Sequence, residues 1–254
     1  MTTDPAESER AQSVPAESAH VLEWLREGEA RFLGQLDGLT DDELREASAL
    51  PDWTRAHVAA HVARNAEAVS RLLAWARTGK ETLMYPDSQT RDRDIDTGAR
   101  QEADQLRADV RDTSARFDAD SVAHPAPAWS ARVRTFQGRD IPAVATLWMR
   151  TREVWMHLVD LGSGVSVESW PGDLVDALLE EVTTTMNGRD DAPSWLLQAT
   201  DRERTWQIGS GATDDLTYRV VSGKAADLLA WLTGRSTGEG LATEGILPRP
   251  PPWM

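Results

Sequence analysis

Apolar residues recur at helical spacing over four long stretches in the first two thirds of the 254-residue chain, and this periodicity limits the possible folds most strongly. The stretches run over residues 20–39, 54–78, 99–117 and 140–161. A helix with one apolar face must pack that face against another element. Four such helices predict an antiparallel bundle with one extended crossover connection.

Local signals predict where these helices begin and end. Thr40 followed by Glu43 is a capping-box pattern, which predicts a short helix that ends near Ala47. Thr54 is the expected N-cap of the long second helix, and Gly79 is its expected C-terminal glycine.

The segments between the helices carry weaker patterns. Residues 80–98 are charged and lack periodicity, so we expect a connecting loop there. Residues 118–138 are expected to be irregular, with a possible strand around Val133. Asp140 together with Pro142 is expected to open the fourth long helix.

The character of the sequence changes after Gly162, where short β-type runs replace the long helical patterns. We expect helices at 171–186 and 224–233, strands at 195–198, 205–208 and 217–221, and a Pro-rich tail without regular structure. The predicted fold class is therefore α+β with two domains. The predicted organisation is a flexible N-terminus at 1–16, a helical domain at 17–163 and a small α+β domain at 164–254.

A formal net charge of −15 makes nucleic acids and anionic membranes unfavourable partners, because both would be repelled. The first 18 residues lack the apolar core of a signal peptide, and no later stretch reaches the apolar length of a membrane span. We therefore expect a cytoplasmic protein. The absence of cysteine excludes disulfides and a thiol nucleophile of the chain's own, so any sulfur chemistry needs an external thiol.

Three of the five histidines lie on two helices whose inner sides are expected to meet. His57 and His61 lie on the second long helix, and His157 lies on the fourth. Glu153 precedes His157 by four residues, so both side chains project from one face of that helix. A carboxylate and two imidazoles supply three ligands, which is the number that a catalytic zinc site uses while one position stays open.

Another interpretation of this pattern is a simple ion pair, since an E-x-x-x-H spacing on a helix surface often pairs a carboxylate with an imidazolium. The residues around Glu153 and His157 are mainly apolar, so a carboxylate placed there needs a partner to offset its desolvation. A metal ion is one candidate partner, and Arg150 or Arg152 is the competing one.

Three extended runs carry a resemblance to a known family. They are LPDWTRAHVAAHVARNAEA (50–68), LLAWARTGKETLMY (72–85) and TLWMRTREVWMHLVDLG (146–162). In these runs the chain resembles the mycothiol-dependent maleylpyruvate isomerases, and the similarity returns weakly at 220–223 and in the Pro-Pro-Trp tail. The resemblance implies a DinB-like N-terminal helix bundle followed by a distinct small C-terminal domain.

The resemblance also implies a zinc site and its ligands. Matched position by position, the family's metal ligands fall on His61, Glu153 and His157. His57 is not a family ligand, and a packed or outer-sphere role is expected for it. An arginine that the family uses in the loop after the second helix aligns with Arg91, with Arg93 as the nearest alternative.

The implied reaction is the cis–trans isomerisation of 3-maleylpyruvate to 3-fumarylpyruvate. A double bond resists rotation, so a nucleophile must add transiently and then depart. With no cysteine in the chain, the resemblance implies mycothiol as the thiol cofactor. The expected partners are a small keto acid and mycothiol, and a monomer is favoured.

Three rival interpretations stay open at this point. The same scaffold could transfer mycothiol to an electrophile or open an epoxide, and such a transferase would consume one thiol per turnover. A non-catalytic zinc-binding or ligand-binding module would lose stability without metal and show no turnover. A metal-free helical domain would pair Glu153 and His157 with local charges.

Overall fold

The computed structural model describes residues 14–209 and 218–253. The chain separates into two compact units, Met1–Ser163 and Gly164–Met254. The expected flexible N-terminus falls largely outside the described residues, whereas Val14 is buried and a short 3-10 helix spans Ala16–Ser18.

Helices dominate the described part of the first unit. They are α1 (Ala19–Gly38), α2 (Asp41–Arg45), α3 (Arg55–Thr78), α4 (Ser88–Ala99), α5 (Ala103–Val122) and α6 (Ala145–Asp160). A further 3-10 helix spans Ala126–Ser130, and two short antiparallel strands, β1 (Arg132–Arg134) and β2 (Asp140–Pro142), lie before α6.

The capping signals in the sequence are confirmed. Thr40 accepts a hydrogen bond from the backbone N–H of Glu43, whose side chain accepts one from Thr40 in return, so α2 begins with a complete capping box. Thr54 caps α3 in the same way, and α3 ends at Gly79, which adopts the left-handed conformation with φ of 71°.

Four long helices form the core of the first unit. Helix α1 packs against α6 and α5, and α3 packs against α5 and α6. Side chains from all four helices are fully buried in this core, among them Leu36, Leu72, Phe117 and Trp155. The contacts join the four expected helices, while their arrangement as an antiparallel four-helix bundle stays a prediction.

Two expectations for the connecting segments are wrong. Residues 80–98 are not a loop throughout, because Ser88–Ala99 forms α4. Its N-cap is Asp87, whose carboxylate accepts from Thr90 N, and its few apolar residues pack against α3. Asp140–Pro142 does not begin the fourth helix but pairs as β2 with β1, and α6 begins at Ala145.

The third helix is shifted relative to the prediction, since α5 begins at Ala103 and continues to Val122 instead of running from 99 to 117. The irregular segment is correspondingly shorter. The expected strand at Val133 is present as β1.

The second unit combines two helices with one mixed sheet. Its described elements are a 3-10 helix (Val167–Ser169), α7 (Gly172–Asn187), β3 (Trp195–Ala199), β4 (Thr205–Ile208), β5 (Arg219–Gly223), α8 (Ala225–Leu232) and β6 (Ala242–Thr243). The sheet has the order β4-β3-β5-β6, in which β3 and β5 are parallel and the other neighbours are antiparallel.

The predicted α+β fold class is confirmed, and among the described elements of the second unit the sequence did not predict the 3-10 helix Val167–Ser169 or strand β6. After Thr243 the described tail has no helix or strand, as expected from its prolines. Within the described residues, no helix combines the length and apolar character that a bilayer-spanning segment requires.

Candidate metal centre

The packing of α3 against α6 brings together the three predicted ligands. His61 lies on α3, and Glu153 and His157 lie one turn apart on α6. One ligand atom from each residue can be chosen so that all three lie within 4.8 Å of one another. The sequence separation of 92 residues between His61 and Glu153 is thus closed by helix packing.

The carboxylate of Glu153 lies at the centre of this cluster. Its Oε2 atom is 3.1 Å from His61 Nε2 and 3.3 Å from His157 Nε2. The His61 side chain is buried, whereas Glu153 and His157 keep 20% and 14% of their side-chain surface exposed. The cluster is therefore anchored in the core and reaches solvent on one side.

Burial and hydrogen bonding set the charges of the cluster. Burial lowers the pKa of His61 to about 4, although its hydrogen bond to Glu153 acts in the opposite direction. Burial also opposes charge on Glu153, yet hydrogen bonds from His157 and His61 lower the pKa of this carboxyl well below its usual range. At neutral pH, Glu153 is therefore a carboxylate and the neighbouring His61 is neutral.

Asp160 completes the surroundings of His157, although the sequence pattern did not point to it. Its buried Oδ2 atom is 3.0 Å from His157 Nδ1. Burial alone would lower the pKa of His157, but hydrogen bonds to Asp160 and Glu153 outweigh burial and raise it. The signal in the sequence was the spacing of three residues, which places Asp160 on the same side of α6 as His157.

His57 lies outside the cluster and has a local role. It occupies the third position of α3, where its Nδ1 atom accepts from Thr54 N at 3.2 Å and lies 2.7 Å from Thr54 Oγ1. Its Nε2 atom lies 3.7 Å from a carboxylate oxygen of Asp96. His57 thus takes the place of the glutamate in a capping box.

The two candidate arginines lie on α4 and differ in their surroundings. Arg91 Nη2 is 3.4 Å from His61 Nδ1, and the guanidinium lies 5.8 Å from the centre of the Tyr85 ring. Arg93 instead bonds Thr90 Oγ1 and is largely exposed. Arg91 therefore lies beside the cluster, although on a helix and not on the expected loop.

Arg150 does not act as the partner of Glu153. It is fully buried and bonds the Glu29 carboxylate of α1 at 3.1 Å and the Val62 carbonyl of α3 at 2.7 Å. Asn65 and Ser114 accept further hydrogen bonds from it. This network joins four helices one turn away from Glu153, so it fixes the spacing of the helices that carry the cluster.

The donor set fits a divalent metal ion. A tetrahedral zinc with bonds of about 2.0–2.1 Å separates neighbouring ligands by about 3.3–3.4 Å. The two imidazole nitrogens lie 3.1 and 3.3 Å from the shared carboxylate oxygen, close to that spacing. Asp160 holds the second nitrogen of His157, as outer carboxylates do for histidine ligands of metals.

A helical unit with two histidines and one carboxylate on facing helices, followed by a small mixed-sheet unit, defines an α+β protein with a candidate open metal site. Known proteins define the family further. Residues 7–162 match the family model described as the mycothiol maleylpyruvate isomerase N-terminal domain, and residues 169–252 match the MDMPI C-terminal domain.

Two solved structures are similar over the full length of both chains. A crystal structure of the mycothiol-dependent maleylpyruvate isomerase is 34% identical with a TM-score of 0.85, and one of its histidine-to-alanine mutant is 33% identical with the same TM-score. No curated protein gives a significant match. The chain belongs to the mycothiol-dependent maleylpyruvate isomerase family of enzymes, which confirms the resemblance seen in the sequence.

Proposed function

We propose that the protein is a zinc- and mycothiol-dependent cis–trans isomerase that converts 3-maleylpyruvate to 3-fumarylpyruvate. The observation that supports this most directly is the cluster of His61, Glu153 and His157 in a chain of this family. We also propose that the four long helices form the DinB-like bundle, and that the enzyme works as a cytoplasmic monomer.

The chemistry requires a removable nucleophile. When bound, zinc would favour the deprotonated thiol, and mycothiol would supply the thiolate that adds to the double bond and leaves after rotation. The thiol is released unchanged, so none is consumed overall. The chain itself has no cysteine, which is consistent with a borrowed thiol.

The chain's own residues would hold the metal and prepare the site. His61 Nε2, a Glu153 oxygen and His157 Nε2 would be the ligands, and Asp160 would keep the proton of His157 on Nδ1. Three ligands leave a position open for the thiol. Glu153 and His157 are partly exposed, so a thiol could approach a metal held by them from solvent.

Arg91 would then be available to the substrate. Without metal, His61 Nδ1 can accept from Arg91 because the ring proton is on Nε2 and faces Glu153. If Nε2 held the metal, the proton of neutral His61 would lie on Nδ1, and Arg91 could no longer donate to that atom. Its Nη2 group would then be free to bind a substrate carboxylate, while Nη1 donates to Asp92 at 2.9 Å.

An absorbance assay of maleylpyruvate isomerisation tests the proposal. Purified protein is assayed with mycothiol present or omitted, before and after removal of zinc by a selective chelator and after its restoration. We expect turnover only with both thiol and zinc. If zinc-loaded protein shows no turnover whether mycothiol is present or omitted, the proposed isomerase activity is refuted.

The ligand assignment is tested by metal content. We expect His61→Ala and Glu153→Ala each to lose stoichiometric zinc, whereas His57→Ala keeps it and loses only the reciprocal bond of the capping box, since Thr54 still caps α3. Metal content is measured on folded, chelator-treated and reconstituted protein. Full zinc retention by His61→Ala would overturn the assignment.

Product analysis separates the proposal from its rivals. Isomerisation leaves the thiol concentration unchanged, whereas an S-transferase consumes one thiol per product. A non-catalytic module would lose stability on chelation without any thiol-dependent turnover. Protein that holds no stoichiometric metal would favour the metal-free domain.

A further inference from the structure

Tyr85 carries a buried hydroxyl that the proposed function does not yet use. The residue is 7% exposed, and its Oη atom has no hydrogen-bond partner among the described residues. A buried hydroxyl without a partner is costly, so its retention calls for a reason outside packing.

The ring of Tyr85 is held firmly in place. It packs edge-on against Phe136 with centroids 5.4 Å apart, and the Arg91 guanidinium lies 5.8 Å from its centroid. The carbonyl of the preceding Met84 accepts a hydrogen bond from Arg71 of α3 at 2.6 Å. These contacts fix the backbone and the ring, while none of them uses the hydroxyl.

The hydroxyl lies in the electrostatic field of the cluster. Arg91, Glu153 and Arg150 are among the charged groups that act on it. Glu153 belongs to the cluster, and Arg91 contacts both the Tyr85 ring and His61. Burial raises the pKa of Tyr85 to about 12, so the group is a neutral hydrogen-bond donor at neutral pH.

We propose that the Tyr85 hydroxyl donates a hydrogen bond to an anionic oxygen of the substrate bound beside the cluster, next to the guanidinium of Arg91. This inference rests on the proposed function. The substrate carries two carboxylates, and addition of a thiolate places negative charge on the keto oxygen. Arg91 offers a charged fork, and Tyr85 adds a single rigid neutral donor.

Tyr85→Phe removes the donor and keeps the ring with its contacts to Phe136 and Arg91. Hydrogen bonds to charged groups are worth factors of about 10–100 in binding or rate. We therefore expect kcat/KM of the zinc-loaded enzyme to fall by about 10–100-fold. A fall in kcat identifies the developing enolate oxygen as the acceptor, and a rise in KM identifies a carboxylate.

The matched control is Tyr218→Phe, which changes the chain's other tyrosine. Its hydroxyl bonds Gln207 in the second unit and should not affect either constant. Thermal unfolding separates substrate contact from a structural role. Loss of an unpartnered buried hydroxyl should leave the Tm of Tyr85→Phe unchanged or higher, whereas loss of a structural hydrogen bond would lower it.

Binding of maleate, measured by calorimetry on the zinc-loaded protein, keeps the test independent of turnover. If the wild type shows no isomerase activity, the proposed function fails, and Tyr85 is judged by this dicarboxylate alone. Affinity at least tenfold weaker in Tyr85→Phe supports the inference. If the wild type is active, unchanged kcat and KM in Tyr85→Phe overturn the inference. If it is inactive, the inference is overturned when both proteins bind maleate equally well or not at all.

Discussion

The carboxylate of Asp160 determines which nitrogen of His157 faces the cluster. Because Nδ1 is held at 3.0 Å by Asp160, the Nε2 atom is directed toward Glu153. An anionic partner also makes the imidazole a stronger ligand, since it stabilises positive charge on the ring. The proposed role of His157 as a metal ligand would thus depend on a residue three positions away.

We expect Asp160→Asn to weaken zinc binding by about 10–100-fold, because the neutral amide no longer supports His157 electrostatically. Competition with a chromophoric chelator measures the affinity. Asp112→Asn, an exposed helical carboxylate on α5, is the matched control and should bind zinc like the wild type. Equal affinities of the Asp160 variant and the wild type would contradict an outer-sphere role.

The pKa values of His61 and His157 should be shifted in opposite directions in the metal-free protein. Burial holds the pKa of His61 at about 4, below its ordinary value of 6.5, whereas Asp160 and Glu153 raise that of His157 above the same value. Imidazole nitrogen shifts in an NMR pH titration, assigned with single His→Gln variants, measure both. Titration of His61 near 6.5 would contradict its burial as a neutral group.

The sign of the linked stability follows from these directions. Unfolded His61 takes up a proton near pH 6.5, but folded His61 does so only near pH 4. Its contribution to stability is therefore complete above pH 6.5 and is lost as the pH falls toward 4. His157 acts in reverse, since its raised pKa contributes stability below 6.5 that is lost as the pH rises through the folded value.

At the level of helices, the contact between α1 and α6 depends on one glycine. A Cβ atom built at Gly28 would lie 2.6 Å from Nε1 of Trp155, a fully buried ring that donates to the Trp24 carbonyl at 2.8 Å. The absence of a side chain lets the indole of α6 pack directly on the backbone of α1. This contact lies on the helix that presents Glu153 and His157.

Gly28→Ala should destabilise the protein by about 1–3 kcal/mol, because overpacking outweighs the better helix propensity of alanine. Gly34→Ala on the same helix is the matched control, since a Cβ there meets nothing within 4 Å. This second change should stabilise by about 0.5–1 kcal/mol. Urea unfolding measures both, and equal effects would show that Trp155 shifts without cost.

Helix α4 and the β1–β2 hairpin show where the sequence pattern was insufficient. Helix α4 is mainly polar, and its stability comes from the Asp87 cap and from packing of Ile95 and Gly98 on α3. The segment has too few apolar residues for them to recur at helical spacing, so its sequence does not show an amphipathic helix. Pro142 resembled a helix start, but pairing with β1 gave Asp140–Pro142 a strand partner instead.

The whole molecule consists of two compact units with separate cores. In the second unit, residues from α7, β3, β5 and α8 are completely buried, namely Leu178, Leu197, Val221 and Leu229. A unit with its own apolar core can fold independently.

We expect residues 164–254, expressed alone, to fold into the same helices and mixed sheet, because their core is built from their own side chains. Far-UV circular dichroism and amide NMR dispersion measure this, with cooperative thermal unfolding as the criterion. The full-length protein provides the reference spectra. A chain with random-coil dispersion would show that this core needs the first unit.

The sequence alone determined the helical periodicity, the caps of α2 and α3, the change of character after Gly162 and the family, because these depend on neighbours in the chain. It also identified His61, Glu153 and His157 as candidate ligands through helical spacing and resemblance. Only the tertiary structure decided that His61 Nε2 lies 3.1 Å from Glu153 Oε2 and that Arg91 lies beside His61. It also decided that Arg150 pairs with Glu29 and not with Glu153. These contacts depend on how helices pack across many residues of sequence, which no local pattern encodes.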